Sequence, residues 1–171
     1  FKNIHALGEI PVQAIDRPVA QPKVIERPRL AGFLAEDIKA GRVAVEDKVD
    51  RSVVTIRGDE LFASASSSIV DDYQPLMLRI ADAIRKVKGQ VRVTGHSDNR
   101  PIATLRFPSN WALSEARAKS VLEILAAKTG QADRFSAEGR SDTEPLATNS
   151  TAEGRARNRR VEITVLAEGV E

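Results

Sequence analysis

Two residues of opposite charge stand where chemistry could be done. Arg117 lies in the stretch NWALSEARAKSVLEIL, residues 110–125. At about 100° per residue, Leu113, Ala118, Val121, Ile124 and Leu125 of that stretch fall within one arc about 140° wide. Arg117 falls inside this apolar arc, and Glu115, Lys119 and Glu123 fall opposite it. A guanidinium keeps its charge, so one that faces inward demands an anionic partner. Asp98 is the attractive candidate. It follows the strand-like run QVRVTGH (90–96), and its loop feeds the helix that carries Arg117. In sheets wrapped by helices, ligands often bind beyond the carboxyl ends of strands. An acid and an arginine fork facing one cleft could hold the ammonium and the carboxylate of an amino acid's zwitterionic end. A plain structural salt bridge between the same two residues is equally compatible with the spacing.

Other constellations carry less. His96-x-Asp98 could be half a metal site or a base with its orienting acid. The second histidine, His5, sits in a proline-rich stretch, so a histidine-rich zinc site is not expected and His96 reads as a structural residue. The run Ser64, Ser66, Ser67, Ser68 lacks a nucleophile elbow and reads as a loop or a helix cap. The glycines match neither a P-loop nor a dinucleotide fingerprint. GRARNRR, residues 154–160, is a local basic cluster without stacking aromatics. It reads as arginines that line the site or pair with nearby acids rather than as a nucleic-acid surface. Trp111 reads as a core or lid residue. No cofactor, no metal and no enzymatic activity are expected.

The elements that must position Arg117 and Asp98 are legible from patterning. The chain has 171 residues, 42% hydrophobic, 29% charged and only 4% aromatic, with a net charge of +2 and no cysteine. That composition fits one domain with an aliphatic core plus a tail, and it excludes disulfides and thiolate chemistry. Residues 1–29 hold Pro11, Pro18, Pro22 and Pro28 and read as a linker or extended arm. Residues 30–66 read as a helix, with Pro28 in its first turn, Leu30, Phe33, Leu34 and Ile38 on one face and Gly41 as its stop, followed by a hairpin about Asp50-Arg51. Residues 67–171 form the main domain. DDYQPLMLRIADAIRKVKG (71–89) is a helix that aligns Tyr73, Leu76, Ile80, Ile84 and Val87, and Gly89 closes it. The runs at 90–96, 134–140 and 159–167 are strands, and a short helix follows Ser150 or Thr151. The order β-β-α-β-α-β-β, with an extra helix in front, predicts an α+β two-layer sandwich.

GHSDN (95–99), the Arg117 stretch and AEGRSDTEPLATNSTAEGRARNRRVEI (137–163) resemble the OmpA-like peptidoglycan-binding domain. The family pattern N-x-x-L-S-x-x-R-A-x-x-V-x-x-x-L is met at Asn110, Leu113, Ser114, Arg117, Ala118, Val121 and Leu125. The resemblance implies a β-α-β-α-β-β mixed sheet with helices on one face. It also implies a site for the diaminopimelate of peptidoglycan stem peptides. Asp98 and Arg117 fall on its acid and its arginine, with Asn110, Ser97, Leu113 and either Arg159 or Arg160 beside them. Ser97 stands where the family usually has threonine, and the loop 99–109 is longer than in outer-membrane members, so it could cover or reshape the pocket.

That loop, and the region before the domain, are most similar to the periplasmic extensions of the TssL family, inner-membrane components of type VI secretion systems. This likeness implies a periplasmic fragment, starting at Phe1 without Met, held to the inner membrane by a segment upstream. The expected partners are peptidoglycan and other secretion subunits, with a homodimer as a further expectation. Two other readings share the fold: an assembly module that has lost wall binding, and a flagellar stator wall anchor of the MotB type.

Overall fold

The computed structural model describes residues 27–170. The arm expected over residues 1–29 therefore lies almost wholly outside the described residues. Pro28 does not open a helix. Residues 27–30 form no regular element, and the Leu30 N–H donates to Asp47 Oδ1 (3.1 Å) and Ser52 Oγ (3.3 Å), which ties the chain to the hairpin behind it. A 3-10 turn, Ala31–Leu34, then leads into α1, Ala35–Lys39. The tighter turn changes which side chains share a face. Leu30 and Leu34 enter the core, whereas Phe33 stays half exposed beneath the ammonium of Lys86.

The hairpin forms as its alternation demands. β1 (Ala44–Asp47) pairs antiparallel with β2 (Arg51–Arg57). Along β2, Ser52, Val54 and Ile56 point inward while Val53, Thr55 and Arg57 point out. β3 (Val91–His96), β4 (Phe135–Gly139) and β5 (Arg160–Leu166) complete one sheet in the order β1-β2-β5-β3-β4. Only β3 and β4 run parallel. The hairpin is thus continuous with the sheet of the main domain.

Cross-strand register places Val54, Ile163, Val93 and Ala137 in one row of the covered face. The helices α3 (Gln74–Arg85) and α4 (Asn110–Thr129) lie over it, contributing Leu76, Met77, Ile80, Ile84, Val121 and Leu125 to an almost purely aliphatic core. The opposite face carries Thr55, Glu162, Thr164, Arg92 and Thr94, the polar pattern of an antiparallel sheet covered on one side. The result is a mixed five-stranded α+β sandwich. α3 ends at Arg85, before Gly89: the Lys86 and Val87 N–H groups turn back onto the Ala83 and Ile84 carbonyls in a tighter last turn.

α4 positions the site. Ser109 caps its start by accepting the Ala112 N–H (3.2 Å), and Gly130 ends it in the left-handed conformation at φ 67°. Its second turn rests directly on the sheet. A Cβ on Gly95 would stand 2.1 Å from the Ser114 carbonyl oxygen, and one on Gly139 would stand 2.5 Å from the Glu115 nitrogen. Two side-chain-free strand ends therefore fix the height of the helix that bears Arg117.

Candidate functional site

A cleft of about 520 Å³ opens beyond the carboxyl end of β3. Its walls are the loop after β3, the first two turns of α4, and the turn that follows β2. That turn includes α2, Gly58–Leu61. The cleft gathers Ser97, Asp98, Asn110, Leu113, Arg117 and Arg159, together with Asp59, Phe62, Ala65 and Arg100.

Arg117 is inward, 8% exposed, as its place in the apolar arc requires. No ion pair joins it to Asp98 among the described residues, so the direct salt bridge is not what holds it. Instead its Nε donates to the Ser66 carbonyl (2.8 Å) and its Nη2 to the Ala63 carbonyl (3.3 Å). Its guanidinium stacks over the Phe62 ring at 4.8 Å. Nη1 makes no hydrogen bond among the described residues, and the guanidinium lines the cleft. Burial pushes the Arg117 pKa down, and the Asp59 charge opposes that shift. The turn that offers both carbonyls is strained, with Ala65 at φ 54°. A non-glycine residue there costs about 1–3 kcal/mol and persists only where its surroundings over-determine it.

Asp98 is also buried. Its Oδ1 accepts the Arg100 N–H (2.9 Å), and its Oδ2 lies 2.5 Å from Arg159 Nη1. The other two nitrogens of Arg159, Nε and Nη2, donate to the two oxygens of Asp59, each at 2.8 Å. The Arg159 hydrogen bonds hold Asp59 below the ordinary carboxylate range, and the same contacts, Asp59 first, raise Arg159. Ser97 donates its Oγ–H to the Asp98 carbonyl (2.9 Å) and its N–H to the Ser141 carbonyl (2.8 Å), which shapes the loop. Asn110 donates to the Arg100 carbonyl (2.8 Å) and closes the loop onto the helix start. Arg100, Pro101 and Ile102 form one wall of the cleft, and Phe107 buries the loop's far end.

Arg160 does not join them. It donates to Glu162 (Nε, 3.0 Å) and to the carbonyls of Asn158 and Glu144. It is the first residue of β5 and stands opposite His96 and Arg57, so alternation sends it to the other side of the chain from Arg159. His96 is buried there too, with Nε2 3.2 Å from Thr94 Oγ1 and 3.2 Å from Glu162 Oε2. Its hydrogen bond is the leading cause that holds Glu162 low, with Arg160 adding to it. Trp111 is neither core nor lid: it is about half exposed and not part of the cleft. Of the basic cluster, Arg155 donates to the Asn149 carbonyl (2.8 Å), so Arg159 alone of these arginines enters the cleft.

Asp59, Phe62 and Arg100 were not found from sequence. Arg100 follows Asp98 by two residues and was within reach of loop reasoning. Asp59 becomes a neighbour of Arg159 only through the β2–β5 register, in which Arg57 faces Arg160. No group of three or more metal-ligating side chains occurs among the described residues.

Fold and site define an α+β module with a mixed-charge cleft at one end of its sheet. Residues 61–159 match the OmpA family, and the chain belongs to that family. It is 80% identical, with a TM-score of 0.81, to the cell wall anchor of the type VI secretion system from Pseudomonas aeruginosa, covering 84% of this chain and 100% of that one. It is 36% identical over 119 residues to motility protein B of Bacillus subtilis, covering 68% of this chain and 46% of the relative. It is 33% identical over 109 residues to the peptidoglycan-binding protein ArfA of Mycobacterium tuberculosis, covering 63% and 32%. The chain thus spans about half the length, or less, of these two relatives.

Proposed function

We propose that this domain binds peptidoglycan by gripping the ammonium–carboxylate end of diaminopimelate in uncrosslinked or partly crosslinked stem peptides. The observation that carries the reading is Arg117, a buried residue whose Nη1 makes no hydrogen bond among the described residues and which lines the same cleft as Asp98. A ligand carboxylate would complete Arg117, and the ligand ammonium would meet Asp98. Ser97 and Asn110 hold the loop that presents Asp98, and Leu113 gives the cleft an apolar wall. Recognition of this kind needs no nucleophile and no general base.

The 80% identity to a type VI secretion wall anchor supports the wider role: a periplasmic module tying an inner-membrane secretion component to the cell wall through a segment upstream. The weaker likeness to motility protein B leaves a stator anchor as the lesser reading. An assembly module without wall binding has one observation in its favour: Arg159 already stands against Asp98.

Co-sedimentation with purified sacculi tests the reading. Wild type should pellet with them, and Arg117→Ala and Asp98→Ala should stay in the supernatant while keeping a native circular dichroism spectrum. Binding by both variants at the wild-type level would remove the site assignment, and no binding by wild type would favour the assembly module.

A further inference from the structure

Arg159 has three donor nitrogens, and all three are engaged, two on Asp59 and one on Asp98. The two acids are not equivalent. Asp98 is buried, whereas the Asp59 side chain is half exposed. The backbone fixes the arrangement as well, since the Gly58 N–H donates to the Arg159 carbonyl at 2.7 Å and sets Asp59 beside the guanidinium. Arg159 therefore stands where an incoming ammonium would have to approach Asp98. Asp59, Asp98 and Arg159 together carry one net negative charge, and Arg117, like the Arg100 side chain of the loop wall, is positive. That division suits a ligand end that is itself an ammonium next to a carboxylate.

We propose that Asp59 is a positioning residue of the binding site, holding Arg159 by two bonds so that Asp98 keeps enough negative charge to receive a ligand ammonium. The inference rests on the diaminopimelate reading and adds a residue that lies before the family motifs that first located the site. Without Asp59, Arg159 has only Asp98, and the remaining pair is neutral. Asp59 thereby favours ammonium-bearing ligands, and its charge, which also acts on Arg117, gives no advantage to a carboxylate alone.

The test compares two probes by chemical-shift titration of the described domain in its full chain: meso-diaminopimelate, and pimelate, which has the same carbon chain and carboxylates but no ammonium groups. Asp59→Asn should weaken meso-diaminopimelate by about tenfold, the loss expected when a charge is removed a few ångströms away near a protein surface, and should leave pimelate within about twofold. Asp59→Glu should recover most of the loss. The double variant Asp59→Asn with Arg159→Gln restores the single negative charge and should bind meso-diaminopimelate better than Asp59→Asn alone. Equal loss of both probes, or no recovery in the double variant, would make Asp59 a merely structural residue and overturn the inference. Unchanged meso-diaminopimelate binding by Asp59→Asn would overturn it as well. A wild type that binds neither probe removes the diaminopimelate reading itself, and this inference falls with it.

Discussion

At the start of β3, Arg134 donates to the carbonyls of Ile84, Val87 and Gly89 and to the Gln131 side chain. At the other end of the same strand, Arg117 donates to two carbonyls and stacks on Phe62, and its Nη1 makes no hydrogen bond among the described residues. Both guanidiniums are drawn against the protein, and burial lowers the pKa of both. Arg134 is fully engaged, on the Ile84 carbonyl in the last turn of α3 and on those of Val87 and Gly89 in the turn beyond it. Arg117 faces a cleft with acids in it and has capacity left. An inward arginine is therefore not a sign of function. Unbonded donor capacity beside opposite charge is.

The strongest way to break this contrast is to move the helix that carries Arg117. Gly95→Ala forces a methyl group against the Ser114 carbonyl and should destabilise the fold by about 3 kcal/mol. Urea unfolding would show it, and sacculus binding should fall with it. Arg117→Ala should instead act on binding, weakening it by about 10- to 100-fold through loss of a charge-assisted contact, with stability lowered by only about 1 kcal/mol. Arg134→Ala should do the reverse. Leaving several carbonyls without donors should cost about 2 kcal/mol and lower Tm by about 6 °C, with sacculus binding unchanged.

Acid sharpens the comparison between structural and binding-site charges. Asp37 is buried between Arg79 (2.7 Å) and Arg42 (2.8 Å), and the Arg79 hydrogen bond leads in holding its pKa below the ordinary 3.8. A depressed carboxylate contributes stability above its unfolded pKa and loses it as pH falls through the folded value. Stability should therefore decline as pH drops below about 4, and Asp37→Asn should be less stable at neutral pH with a shallower acid slope in urea melts. The smallest effect belongs to Ala65→Gly. It should relieve the positive φ in the turn under Arg117 and raise stability by about 0.5 kcal/mol, measurable as a shifted urea midpoint.

Periodicity made much of this legible. The buried face of α4, with Leu113, Arg117, Ala118, Val121 and Leu125, follows from 3.6-residue spacing, and the hairpin and β2 follow from alternation. Asp98 and Arg117 could each be picked out because a charge beside a strand end or in an apolar arc conflicts with its surroundings. What links them could not be read. The partner of Asp98 is Arg159, and Asp59 joins through the β2–β5 register, 100 residues away along the chain. The choice between Arg159 and Arg160 depends on which residue begins β5, a boundary that patterning leaves open by a residue or two. Phe33 and Trp111 were misjudged for another reason. Hydrophobic side chains can remain at the surface, and only the packing decides which do. α3 stops short of Gly89 because its last turn tightens at Lys86 and Val87, a boundary that spacing leaves open by a few residues.

The most direct measurement is a titration of meso-diaminopimelate into protein labelled with nitrogen-15 in its arginine side chains. The Arg117 signal should shift with saturation, the Arg134 signal should stay in place, and Asp98→Ala should abolish the Arg117 shift. A bound ligand that leaves Arg117 unmoved, or that moves Arg134 instead, would contradict the placement of the site.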